Sequence, residues 1–597
     1  MRNAETVLAV IRDRGERGLP LEDIYRQLFN PELYFRAYGR LYANKGAMTP
    51  GSTDETVDGM SIEKIHAIID DLRHERYRWT AVKRVYIPKK SGKLRPLGLP
   101  SWSDKLLQEV VRQILEAYYE PQMSAHSHGF RPGHGCHTAL SEVRQTWKGT
   151  RWFLEGDITQ CFDKLDHTVM LSILGEQLHD NRFLRLIQNM IQAGYLEEWT
   201  YHKTLSGSPQ GGVVSPILSN IYLDKLDQFV ENKLIPAYTR GKVRRTNKRY
   251  KALIESARKY RNRGNTEMAE ARLKEAQTLP AMDTNDPDYR RLYYVRYADD
   301  TLFGFAGPKE DVEEIKRLLG DYLRDELKLE LSQEKTLITH ATTQAARFPG
   351  YEIVVQQRDD KCAFDGRRRV NAPIGLRVPV DVLEKKRAYY MRKGKPAPRP
   401  AIMHDDDFSI MSRYQEEYRG VVQYYLLAVN VSWFHRLHWI AEGSLLRTLA
   451  AKHKSTLRKQ NRKYQTTIET PTGPMKCLQV VGKREEGKKP LVAQFGGIPL
   501  RRNTQAVLVD QEPQYVRYER NELLRRLLAN TCEICGSTQQ CQVHHIRKLA
   551  DLKREGRREK AAWEKIMIAR RRKTLVVCHE CHVAIHAGKP TRQPSRT

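Results

Sequence analysis

Residues 293–307 read YYVRYADDTLFGFAG, two apolar runs that meet at a short polar turn, and this predicts a β-hairpin with Asp299 and Asp300 at its tip. Well upstream, RWFLEGD (151–157) reads as a strand that ends on a third acid, Asp157. An isolated Asp-Asp is ordinarily a solvated turn. Acids at the ends of two buried elements suit a different purpose, because nucleotidyl transfer uses two divalent ions about 4 Å apart and needs carboxylates to hold them. Hard oxygen ligands of this kind match Mg²⁺, which keeps some of its waters and takes its remaining ligands from substrate phosphates.

The rest of the composition fits a polyanionic partner. Across 597 residues there are 102 Lys plus Arg against 72 Asp plus Glu, a formal net charge of +30. No apolar stretch is long enough to span a bilayer, and no basic amphipathic anchor opens the chain, so nucleic acid is preferred to a membrane surface. The first residues, MRNAETVLAVIRDRGERG, mix acids with bases and predict neither a secretory signal nor a transit peptide; a cytoplasmic location follows. The length calls for several domains.

Residues 1 to about 80 carry helical spacing, and VKRVYIPKKSGKLRPLGLP (82–100) reads as a strand, a Gly turn and a second extended segment. Asp163 to Gln177 is predicted helical. From about 231 to 288 the text turns polar, with a basic run at Arg240–Lys251 and then a mixed-charge helical stretch, an insertion between two core elements. Helical spacing returns after Val378, and Gly and Pro near Pro471–Gly487 predict a boundary. Between Gly443 and Thr467 there are seven bases and no acid: Arg447, Lys452, Lys454, Arg458, Lys459, Arg462 and Lys463. Such a run after an apolar helix reads as a phosphate track, against the plainer reading of a solvated helix face.

Five of nine cysteines fall at the end of the chain. Cys532-x-x-Cys535 and Cys578-x-x-Cys581 have the spacing of a closed four-sulfur zinc site that staples a small domain. His544-His545 lie inside that frame, and His582 and His586, at i and i+4, can face one ion.

Seven blocks in order carry a resemblance to the reverse transcriptases encoded by group II introns: VYIPKKSGKLRPLGLP, SHGFRPGHGCHTAL, RWFLEGDITQCFDKLDH, GSPQGGVVSPILSNIYL, YVRYADD, LSQEKTLITH and ARFPGY. The resemblance implies that Asp157, Asp299 and Asp300 hold two Mg²⁺ ions in a right-hand palm. It implies that Lys89 and Arg95 grip the incoming triphosphate, that Phe162 crowds a ribose 2′ hydroxyl, and that Gln210 sits against the incoming nucleotide. TLAAKHKST (448–456) resembles a block of the maturase thumb, which implies that the basic run above grips intron RNA. The tail resembles an HNH endonuclease of the ββα-metal type. There the resemblance implies His544, His582 and His586 on one divalent ion, His545 as general base, and the four cysteines on structural Zn²⁺; Lys573 departs from the motif, standing where a middle Asn is expected. A zinc ribbon without activity is the alternative for this segment.

The expected fold is therefore α+β: fingers and palm over 1–375, an α-helical thumb (domain X) over 376–485, a DNA-binding region over 486–527, and a small zinc-stabilised HNH domain over 528–597. The expected function is that of a group II intron-encoded protein, with the order of parts found in the lactococcal type: an RNA-directed DNA polymerase, a maturase for its own intron RNA, and a nuclease that nicks target DNA to prime copying. Its expected partners are intron RNA, double-stranded target DNA and deoxynucleotides, a homodimer is admitted, and a bacterial, nucleoid-associated setting goes with the resemblance. Two rivals are an RNA-binding splicing factor with a decayed polymerase, against which the intact acids speak, and a stand-alone host reverse transcriptase, against which the thumb block and nuclease tail speak.

Overall fold

Three capped helices open the chain. α1 (Ala4–Glu16) and α2 (Pro31–Leu41) start at Asn3 and Asn30, and after the two-residue strand β1 (Met60–Ser61) helix α3 (Ile62–Arg73) starts at Ser61. Each of these side chains accepts a backbone N–H of the first turn and so satisfies a donor the helix cannot. The computed structural model describes residues 3–591 except 45, 89–91, 93, 198–199, 203–211, 284–285, 363–367, 483–489, 511–520 and 553–559. Strands β2 (Val82–Pro88) and β3 (Leu94–Leu99) pair antiparallel, with Ile87 opposite Arg95. Helix α4 (Trp102–Tyr119) is buried nearly all round and forms the spine of the N-terminal half, its buried Arg112 paired with the equally buried Glu109 at 2.8 Å.

The central sheet is built from distant pieces of sequence. β4 (Trp152–Asp157) lies inside it, and the long buried helix α5 (Ser215–Phe229) backs it. The helix expected from Asp163 to Gln177 is two, Cys161–Lys164 and His167–Gly175, because the Asp166 side chain accepts from Val169 N and starts a new helix there. The polar insertion forms α6 (Lys248–Asn262) and α7 (Thr266–Gln277), which pack together through small residues such as Ala257 and Ala269. The chain then returns as β5 (Arg291–Tyr297) and β6 (Asp300–Ala306), and later β7 (Leu337–His340), to give an antiparallel sheet in the order β5-β6-β4-β7. β6 is buried along its whole length after Asp300 and apolar except for Thr301, whose hydroxyl donates to the Gly156 carbonyl, as suits a strand covered on both faces.

Beyond it lie α8 (Asp407–Tyr424), α9 (Phe434–Lys452) and α10 (Leu457–Tyr464), followed by a meander of β8 (Gln465–Thr470), β9 (Gly473–Gly482) and β10 (Leu491–Gly496). Two expectations need correction here. The thumb is not all helical, and the boundary drawn at 485 falls inside one sheet: Pro471–Gly473 is the β8–β9 turn, and β10 of the supposed next region pairs with β9 from Cys477 to Gly482. Phe495 on β10 packs on Tyr418 of α8, which makes the meander part of the same core.

The tail contains α11 (Glu522–Leu528), an antiparallel pair β11 (Cys541–His545) and β12 (Thr574–Cys578) with helices Leu549–Leu552 and Ala562–Arg570 between them, and α12 (His579–His586); the two strands and α12 form a ββα unit. It does not stand apart. β1, from the N-terminal region, adds a third strand beside β11, with Met60 opposite Val543. Leu523, Leu524 and Leu527 join the hydrophobic cluster of α2 and α4.

Candidate active sites

Antiparallel register sets Asp157, the last residue of β4, opposite Asp300, the first of β6, and Asp299 occupies the two-residue turn between β5 and β6. The fit to divalent cations can be judged from the acids themselves. Burial first, then Asp299 and Asp157 as like charges, push the Asp300 carboxyl up to about 7. Burial and Asp157 also raise Asp299, with Arg95 and Lys335 opposing. Two carboxylates that resist ionising beside a third acid make a donor set that a hard cation relieves. Lys335 makes the only counter-contact to Asp157 among the described residues, at 2.9 and 3.1 Å from its two oxygens, from a largely exposed position.

The turn is held from beneath. Ala298 adopts φ +56°, a conformation that L-residues rarely take, and something must enforce it. Arg296 does so: fully buried, it is clamped by Asp227 through Nε at 2.8 Å and Nη2 at 2.5 Å, and its Nη1 donates to the Ala298 carbonyl at 2.9 Å and to Asn220 at 3.2 Å. From above, Gly129 approaches so closely that a Cβ there would lie 2.3 Å from Ala298 N. Asn220 ties this glycine down by donating to its carbonyl.

Phe162, in the single turn Cys161–Lys164 that follows the strand of Asp157, is half-buried and sits edge-on to Phe130 at 6.4 Å. Arg95 is on β3, exposed, and its charge is felt at Asp299. Lys89 and Gln210 lie outside the described residues. Beside the acids a cleft of about 820 Å³ opens between Asp157, Asp300 and Lys335 on the sheet side and Lys386, Glu416 and Tyr424 on the helical side.

The basic run does not form one uniform track. Lys452 is drawn in by an acid of another helix: it bonds Asp407 at 2.8 Å and the Asp405 carbonyl at 2.6 Å, and Asp407 also holds His453 and Tyr464. Burial would raise Asp407, but these hydrogen bonds keep its carboxyl down at about 2. Arg447 is half-buried and donates to Gly443 O of its own helix. Lys454, Arg458, Lys459, Arg462 and Lys463 are exposed, although Lys463 also comes within 3.9 Å of Asp407.

In the tail, the sulfurs of Cys532, Cys535, Cys578 and Cys581 lie within 4.8 Å of one another, with 3.7 Å between Cys535 and Cys578. A tetrahedral zinc with Zn–S of about 2.3 Å puts its sulfurs about 3.8 Å apart, so the frame fits that ion. His544 and His545, neighbours on β11, face opposite sides. His544 meets His582 and His586, and neither of its buried ring nitrogens makes a hydrogen bond. His582 Nδ1 bonds Gln542 at 2.9 Å, which leaves Nε2 turned inward as a ligand would be. The residue that completes this group is Asp58, just before β1: its carboxylate is 3.4 Å from His544 Nδ1, 3.2 Å from His582 Nε2 and 2.7 Å from His586 Nε2. Burial works against the Asp58 charge, but the adjacent His544 and His582 imidazoles and the His545 backbone N–H outweigh it and hold the carboxyl well below the usual range. His545 bonds Tyr38 Oη at 2.9 Å, and burial takes its imidazole down to about 4. Lys573 is exposed, and its carbonyl accepts from Ile546 N.

Lys335, Arg296 with Asp227, and Asp58 were not singled out from sequence. A lone Arg in the apolar run YYVRY was a usable signal, since a buried charge needs a partner; Asp58 offered none.

An antiparallel sheet that gathers three acids at one end is an arrangement suited to two-metal nucleotidyl transfer, and it is joined here to a ββα unit of the kind found in nucleases. Comparison with known proteins agrees. Residues 87–353 match the reverse transcriptase (RNA-dependent DNA polymerase) family, 366–490 the type II intron maturase family, and 532–582 the AI2M/AI1M-like HNH endonuclease family. The chain is 39% identical over 586 residues to the group II intron-encoded protein LtrA of Lactococcus lactis subsp. cremoris, covering 94% of each. It is 31% identical to a putative COX1/OXI3 intron 1 protein of Saccharomyces cerevisiae, over 94% of this chain and 68% of that one. The chain belongs to the group II intron-encoded reverse transcriptases with maturase and HNH endonuclease domains, a multifunctional family with an RNA-directed DNA polymerase and an endonuclease in one chain. Its polymerase part accordingly has the right-hand fold. Among the described residues, no helix is long and apolar enough to cross a membrane.

Proposed function

We propose that this protein binds its own intron RNA, supports its splicing, enters target DNA with the excised RNA, nicks one strand and extends the new 3′ end by copying the intron. The observation that carries the copying step is the register that sets Asp157 against Asp300 with Asp299 in the intervening turn. Asp157, Asp299 and Asp300 would hold two Mg²⁺ ions, which would supply activation of the attacking 3′ hydroxyl and neutralisation of the leaving pyrophosphate. Arg95, with Lys89, positions the incoming triphosphate by charge-assisted hydrogen bonds. Phe162 crowds the 2′ position, and Gln210 supports the base. The exposed bases Lys454, Arg458, Lys459 and Arg462 contact intron RNA phosphates.

In the tail, His544, His582 and His586 would hold one divalent ion, which would supply charge stabilisation at the scissile phosphate. His545, neutral near pH 7, takes a proton from the attacking water. Cys532, Cys535, Cys578 and Cys581 hold structural zinc. One purified variant tests the division of labour. His545→Ala should abolish target-strand nicking yet leave splicing and extension of a supplied primer intact, with zinc content confirming that the tail is folded; persistent nicking with zinc retained removes His545 from the base role.

A further inference from the structure

We infer that Asp58 is a fourth protein ligand to the nuclease ion, and that by filling that position it holds the nuclease closed in the free protein. The inference rests on the nuclease reading above and adds a residue from the other end of the chain to its metal site.

The distances support ligation. A tetrahedral ion with bonds of about 2.0–2.1 Å places its donor atoms about 3.3–3.4 Å apart. Asp58 lies 3.4, 3.2 and 2.7 Å from the three imidazole nitrogens, and His582 and His586 are 3.3 Å apart. The carboxylate is buried, with only 12% of its side chain exposed, and among the described residues its partners are the three histidines and the His545 backbone N–H. It is not a passing contact of a loose loop. Gly59 N bonds Val543 O at 3.0 Å, β1 then extends the nuclease sheet, and Trp102 Nε1 donates to Met60 Sδ. Gly59 itself has φ +76° and stands 3.5 Å, measured from an added Cβ, from the His582 ring, so the turn that delivers Asp58 suits glycine.

The consequence follows from coordination. Catalytic ion sites keep a position open for water or substrate, whereas sites with four protein ligands are closed. With Asp58 in place, a phosphodiester has no vacant position to enter. The opposite face of β11 is shut as well, since His545 is 5% exposed and bonded to Tyr38 of α2. The same N-terminal region thus covers both the ion and the base, and nicking requires β1 and α2 to separate from β11.

The test uses the zinc-loaded full chain. Co²⁺ is titrated in while the intense visible bands of four-coordinate Co²⁺ are followed; the oxygen-rich palm site contributes little to them. The wild type should show a band that His586→Ala removes. Asp58→Asn should weaken Co²⁺ binding at least tenfold and, at saturating divalent ion, raise nicking of DNA by the RNA-free protein at least tenfold. Tyr38→Phe, which leaves all four ligands in place, should raise nicking without changing Co²⁺ affinity, and serves if Asp58→Asn loses its zinc. Co²⁺ affinity unchanged in a zinc-replete Asp58→Asn protein overturns the ligand assignment. Weakened binding without a gain in nicking, or no gain in Tyr38→Phe, overturns the closed state. Absence of any His586-dependent band in the wild type sinks the nuclease-ion reading beneath both.

Discussion

Arg296→Met keeps the length of the side chain and removes its charge, and its expected effects can be worked from four hydrogen bonds. Two run to Asp227, which is itself 0% exposed and would be left as a buried carboxylate with, among the described residues, only Tyr294 Oη, at 2.6 Å, still donating to it. Breaking one half of a buried pair costs about 3–5 kcal/mol. At about 1.4 kcal/mol per factor of ten, the amides of β5 and β6 should exchange roughly 10²- to 4 × 10³-fold faster with solvent, and hydrogen exchange of the full-length protein reads this directly. The other two bonds hold Asn220 and the Ala298 carbonyl. Without them the positive φ of Ala298 is unsupported, and the Asp299–Asp300 turn relaxes, so primer extension should fall at least a hundredfold. The double variant Arg296→Met/Asp227→Leu separates the two effects: removing both charges should restore most of the exchange protection and none of the activity. Near-wild-type exchange and extension in Arg296→Met would refute the claim that this pair positions the catalytic turn.

Further expectations concern the other charged groups. Lys335→Gln removes the ammonium that competes with a cation at Asp157, so the Mg²⁺ concentration for half-maximal extension should drop a few-fold; a rise would show that Lys335 does not oppose ion binding. Replacing Arg458, Lys459 and Arg462 with Gln should flatten the slope of log RNA affinity against log salt by roughly 0.7 per lost phosphate contact. Lys452→Gln should instead leave the slope unchanged and loosen the α8–α9 junction, measured as faster exchange there, because its charge is spent on Asp407. A zinc chelator should unfold the tail and stop nicking while extension of a supplied primer persists; loss of both together would contradict independent metal sites.

The palm acids are legible in the sequence because a two-residue turn between apolar runs is a local signal, and β5 and β6 pair as that signal predicts, with Tyr297 opposite Asp300. What lies beneath the turn is not legible, since Asp227 reaches Arg296 only through tertiary packing. The helix expected from Asp163 failed at Asp166 for a local reason, a side chain that caps the next helix. Gly and Pro at 471–473 resemble a linker as closely as a hairpin turn; only pairing with β10 decides between them. An all-basic run reads as a phosphate track along its whole length, yet Asp407 of α8 takes up Lys452. Asp58 sits in a polar stretch with no motif, at the far end of the chain from its histidine neighbour His544, and long-range partnership of that kind leaves no periodicity to detect.

The proposed copying activity rests most directly on the palm acids. Asp299→Ala, with its zinc content and RNA binding intact, should give no detectable Mg²⁺-dependent extension of a DNA primer on an RNA template, while DNA nicking by the same preparation continues; extension at the wild-type rate would show that copying does not depend on this carboxylate and would contradict the assignment.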